Sequence, residues 1–275
     1  MKMSRKNWLV AMPLLLAIAA SGCSRAPAGS GFGPRLAVTL RFGAPVKSSY
    51  YYYVLIRNSP DDETNPQNWP IPIVTAPYGG NLFAAEASSG KQAAFTNYVL
   101  YDGGGQPTVS GYGLYHLNGY LHGNINDQAN FRLNREPDIA IRPGADETTL
   151  SFELALDRLR ADTGECNTLV AGDCPTAKNL VISIIVTNKL VSSPNSIDTS
   201  KYVDAIGDQS NQFSGSFNKV LTIDTSQVGR VFQSSTNPGD PFYEPDGDAA
   251  EGTFTTPGNT DRAIELLAWQ VQVKN

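Results

Sequence analysis

Apolar residues recur at every second position in several stretches of this chain, and the stretches are separated by Gly, Pro and Asn. Leu36, Val38, Leu40 and Phe42 alternate with Ala37, Thr39 and Arg41, the pattern of a strand with one buried face. Leu150, Phe152, Leu154 and Leu156 alternate in the same way with Ser151, Glu153 and Ala155. Tyr50–Ile56 is apolar or aromatic on both faces, which predicts a strand central in its sheet. Leu180–Thr187 is a nearly continuous apolar strand, and Phe95–Tyr101, Phe217–Ile223 and Arg230–Gln233 read as further strands. Ile264–Val273 closes the chain, with a phase shift at Leu266–Leu267 that fits a β-bulge. Asn118-Gly119 between Tyr112–Leu117 and Tyr120–Gly123 predicts a two-residue hairpin turn. Asp157–Arg160 reads as a helical turn. With 25 Gly and 18 Pro, this punctuation suits many strands joined by turns. The expected fold is all-β: an antiparallel β-sandwich of roughly ten strands with long Pro/Gly-rich loops and little helix.

The first 23 residues have a different character. Lys2, Arg5 and Lys6 precede an apolar run from Trp8 to Ala20, which leads through Ser21-Gly22 to Cys23. The run is shorter than the ~20 apolar residues a permanent span needs. The segment resembles the lipobox of bacterial lipoproteins, in which the cysteine is lipidated and becomes the mature N-terminus; Ala20 stands where that family usually has Leu. An ordinary signal peptide cut after a small residue is the alternative. Residues 1–22 are accordingly expected to be a signal peptide, 23–34 the lipidated Cys23 with a flexible Gly/Ala/Pro/Ser tether, and 35–275 a single β-sandwich domain.

Without residues 1–22 the chain has 18 Lys+Arg against 26 Asp+Glu, a formal charge of −8. No basic cluster follows, so nucleic acid is not an expected partner, and attachment to the bilayer should rest on the lipid alone. The remaining cysteines, Cys166 and Cys174, lie eight apart in a chain with an export signal and read as a disulfide. Chain entropy gives so small a loop about 2.6 kcal/mol.

Catalytic motifs are missing: there is no Gly-x-Ser-x-Gly, His-Glu-x-x-His, P-loop or dinucleotide fingerprint. The hairpin register would place the two histidines, His116 and His122, on opposite faces, where they share no metal. Two acidic clusters have the chemistry of hard-cation ligands. Asp61-Asp62-Glu63 opens the long loop Asn58–Asn81, and Glu244-Pro245-Asp246-Gly247-Asp248 with Glu251 forms a later one. Solvated turn residues are the plainer account of both. If a structural calcium is held, Asp246 and Asp248 are its expected ligands, and no other cofactor is expected. Trp69, Tyr78, Tyr101, Tyr112, Tyr115 and Tyr120 lie in or beside loops and hairpin ends, where exposed rings on a rigid scaffold can stack on sugar faces. Trp269, on the regular closing strand, reads as core.

Several stretches together resemble family 9 carbohydrate-binding modules and the related DOMON-like sandwiches: Thr148–Leu159 (TTLSFELALDRL), Leu180–Asn188 (LVISIIVTN) and Tyr51–Glu63 (YYYVLIRNSPDDE). With Tyr202–Asp208 (YVDAIGD), Gly239–Asp248 (GDPFYEPDGD) and Glu265–Val271 (ELLAWQV), the ensemble is similar to uncharacterised lipoproteins of environmental bacteria. The resemblance implies a sandwich fold and a sugar clamped between two tryptophans. Only Trp69 and Trp269 lie beyond the signal, so a tyrosine such as Tyr78 or Tyr101 would have to replace one of them. DOMON-like relatives bind haem through Met and His; Met1, Met3 and Met12 all lie in the signal, so haem is not expected.

The sequence thus supports an exported, lipid-anchored, non-catalytic β-sandwich of the bacterial cell envelope. Glycan is its first-choice ligand, through Trp69, Tyr78, Tyr101, Tyr112 and Tyr115. The alternative is a structural or partner-protein-binding envelope lipoprotein, and a further one is a divergent glycosidase. Ser24 after the lipidated cysteine favours the outer membrane by resemblance to enterobacterial sorting.

Overall fold

A computed structural model describes residues 33–59, 95–103, 108–117, 131–159, 177–189, 202–207, 219–248, 250–251 and 261–275. Gly33–Asn275 forms one compact unit. Among the described residues thirteen strands follow in chain order. They are β1 (Arg35–Phe42), β2 (Tyr51–Ser59), β3 (Asn97–Tyr101), β4 (Tyr112–Leu117), β5 (Phe131–Arg135), β6 (Ile139–Ala140), β7 (Thr149–Ala155), β8 (Asn179–Thr187), β9 (Tyr202–Ala205), β10 (Leu221–Asp224), β11 (Val231–Gln233), β12 (Ala250–Glu251) and β13 (Leu266–Lys274). A 3-10 turn over Leu156–Arg158 follows β7, where the helical turn is expected.

The strands form two antiparallel sheets. The smaller has the order β11-β13-β1-β7-β6 and the larger β12-β9-β8-β2-β3-β4-β5, with β10 also paired to β8. The alternation in β1 and β7 turns Leu36, Val38, Leu40, Leu150, Phe152 and Leu154 inward, each at most 4% exposed. They meet Tyr52, Val54, Ile56, Ile182, Ile184 and Val186 of the larger sheet in one core. Burying each such aliphatic side chain contributes about 1.5–3 kcal/mol, and a one-residue slip of either sheet would turn the whole set outward.

The double-faced strands behave as their composition requires. β2 lies between β8 and β3, and its outward Tyr53 and Leu55 are as buried as its inward residues. The phase shift in β13 is a bulge: Arg41 pairs with Ala268 but Phe42 with Leu266, leaving Leu267 as the extra residue.

The predicted Asn118-Gly119 hairpin needs correction. Leu117 pairs with Phe131 and His116 with Arg132 on one edge of β4, while Asn97 pairs with His116 on the other. Both edges at His116 are therefore taken, so the pairing of His116 with Leu121 that the two-residue turn requires has no edge to form on; Asn118 and Gly119 themselves lie outside the described residues. The register that would set His116 and His122 on opposite faces is thus not formed at His116, and His122 lies outside the described residues.

β9 and β10 lie end to end on one edge of β8. Ala205 pairs with Ile185, Ile206 N–H donates to Ile184 O (3.1 Å), and Leu221 resumes opposite Ile182. They are one antiparallel strand interrupted after Gly207, whose φ of +90° turns the chain out of the sheet.

A buried phenol ties the β1–β2 connection to the approach of β13. Tyr52 Oη accepts from Lys47 N–H (3.0 Å) and donates to Ala263 O (3.1 Å). Tyr52→Phe keeps the ring but leaves both backbone groups unanswered. It is expected to cost about 1–3 kcal/mol in a thermal or urea melt. An unchanged midpoint would show that both groups find other partners.

Candidate functional site

Four carboxylates converge inside the sandwich, at the end where β1 finishes and β13 begins. Asp204 sits in β9 opposite Val186, an inward core position, while its neighbours Val203 and Ala205 take the outward face. Glu265 immediately precedes β13, and its backbone carbonyl accepts from Gly43 N–H (3.1 Å). Glu244 and Asp248 come from the connection that follows β11. Exposures are 0% for Asp204, 1% for Glu265, 2% for Asp248 and 7% for Glu244.

Backbone and indole donors hold these groups in place. Asp204 accepts from Leu266 N–H (2.5 Å) through Oδ2 and from Ala205 N–H (2.7 Å) through Oδ1. Glu265 Oε2 accepts from Gly247 N–H (3.0 Å). Glu244 Oε1 accepts from Gly207 N–H (2.9 Å) and from Trp269 Nε1–H (2.5 Å). The cluster therefore links both sheets: Asp204 belongs to the larger, Trp269 and Leu266 to the smaller.

Carboxylate oxygens of Asp204, Asp248 and Glu265 all lie within 4.8 Å of one another. Two oxygens bound to one calcium at about 2.3–2.6 Å are at most ~5 Å apart, so no pair of the three is too widely spaced to share an ion of that size. Without a cation, each ionised pair at this range repels by about 3–4 kcal/mol at an effective dielectric of ~20. Burial, followed by the charges of Asp248, Glu244 and Glu265, pushes the Asp204 carboxyl well above its ordinary value of 3.8, against the opposing pull of the Leu266 N–H. The arrangement has two chemically sound states, one holding protons and one holding a hard cation.

Of the expected calcium ligands, Asp248 belongs to this cluster and Asp246 does not. The Asp246 side chain is 55% exposed and pairs with Arg262. Between the two stands Gly247 with φ +89°, a left-handed conformation that favours glycine. Asp204 and Glu265 were not among the expected ligands. Their signal is an acid embedded in apolar sequence, Val203-Asp204-Ala205-Ile206 and Ile264-Glu265-Leu266; in β9 the strand period turns Asp204 inward, whereas Glu265 lies just ahead of β13 between the core residues Ile264 and Leu266.

The expected aromatic ligand residues separate. Tyr101 and Tyr112 are core residues, 3% and 1% exposed, with ring centroids 4.8 Å apart. Tyr112 Oη also accepts from Ser151 N–H (3.2 Å). Tyr115 is half-buried on the outward face and stacks on Tyr98 at 4.6 Å with planes 12° apart. Trp269 is core, as expected, at 2% exposure. His116 is buried and donates through Nδ1 to Asn97 Oδ1 (2.6 Å). Cys23, Trp69, Tyr78, Tyr120, Cys166 and Cys174, and the acidic trio Asp61-Asp62-Glu63, lie outside the described residues.

No protein-family model, curated protein or solved structure matches this chain.

Proposed function

We propose that this chain is a lipid-anchored, non-catalytic β-sandwich of the bacterial cell envelope that binds a ligand, with glycan as first choice. We propose further that its interior carboxylate cluster serves the fold as a structural calcium site. The observation that carries the non-catalytic part is the burial of the cluster. Asp204, Asp248 and Glu265 are at most 2% exposed, and Asp204 and Glu265 are braced by backbone N–H groups. A glycosidase pair must instead flank an open cleft that admits a sugar. Recognition then falls to the connections, and the longest, residues 60–94 between β2 and β3, carries Trp69 and Tyr78 on a rigid two-strand base. With Tyr101 and Tyr112 committed to the core, the sugar proposal rests on Trp69, Tyr78 and the half-buried Tyr115. The lipobox-like Ala20-Ser21-Gly22-Cys23 supports the anchor, and resemblance to family 9 carbohydrate-binding modules supports the sugar.

The direct test is a broad glycan array probed with residues 24–275 and with Trp69→Ala. Binding that the substitution removes by tenfold or more, with its melt unchanged, is the expected result. A blank array sinks the glycan assignment. Fatty-acid labelling of the full chain against Cys23→Ser tests the anchor separately, and equal labelling of the two would overturn it.

One observation favours protein-partner binding as the second reading. Val109 and Ile141 are 87% and 66% exposed, near the corner where Arg142 donates to Gly103 O (3.0 Å). Crosslinking from that corner in intact envelopes distinguishes the two readings.

A further inference from the structure

We draw no further inference here: the strongest candidate, the aromatic row Tyr51, Tyr53, Tyr98 and Tyr115 on the outward face of the larger sheet, carries nothing because nothing in the structure shows what covers it.

Discussion

Stripping divalent cations at about pH 7.5 is expected to lower the unfolding midpoint of the domain by about 5–10 °C, and calcium at a hundred times its Kd should restore it. A ligand at that excess contributes about 2.7 kcal/mol, and a domain of this size gains about 2–4 °C per kcal/mol. The pH dependence follows from Asp204. Its carboxyl is held well above 3.8 by burial first and then by Asp248, Glu244 and Glu265, so the folded state binds a proton more tightly than the unfolded chain. The stability that this proton confers is complete below the ordinary value and is lost as pH rises through the raised one. In chelator, then, the midpoint should fall as pH rises through that raised value. In calcium that fall should shrink, because the ion requires the ionised form. The calcium-induced shift should likewise be small in acid, where protons compete for the same oxygens. A midpoint indifferent to calcium at neutral pH, or a shift of equal size at both pH values, would mean that the cluster holds protons and no ion.

Trp269→Ala is expected to be the most damaging single substitution, costing about 3–5 kcal/mol. The ring is 2% exposed, its strand position pairs with Leu40, and it meets Phe242 edge-on at 5.4 Å. Its N–H also supplies Glu244 with a donor. Trp269→Phe separates these contributions: most of the packing stays and the donor goes, so the expected cost falls to about 1–3 kcal/mol. Urea midpoints of the two variants give the comparison. If Phe proves as costly as Ala, the indole N–H matters more than the ring volume. If Phe is neutral, the bond to Glu244 contributes nothing measurable.

Much of the architecture was legible in the chain because long strands write their burial into sequence. β1 and β7 show it as strict alternation, β2 as two apolar faces, and β13 as a phase slip at Leu267. Shorter pieces leave no such trace. β6 and β12 have two residues each, too few for any period to register, and β5 carries Arg132, Asn134 and Arg135 among its five. The Asn118-Gly119 pair is a sound local turn signal, yet a turn cannot decide which strand occupies an edge, and β5 takes it. Of the cluster, only Asp248 stands among the ligands expected from the sequence. Neighbouring acids in a loop invite a joint assignment, as with Asp246, but here the grouping is made by long-range pairing. Asp204 reaches Leu266 across 62 residues and Glu265 reaches Gly247 across 18. Without partner strands in view, nothing in the chain says that Asp204, Glu244, Asp248 and Glu265 come together at one end of the sandwich.

The position of β1 has a mechanical consequence. It is the first strand of the sandwich, yet it lies in the middle of its sheet, paired along seven residues with β7 and along its whole length with β13. A pull on the chain ahead of Arg35, directed along the strand, would load both ladders in shear, so their hydrogen bonds would resist together and not open one after another. Force spectroscopy between Gly33 and the loop Thr236–Asp240 should therefore show one high rupture peak, whereas a train of low peaks would mean that the strand peels. Under the proposed anchor at Cys23, the first thing to bear tension would be the most firmly held strand in its sheet.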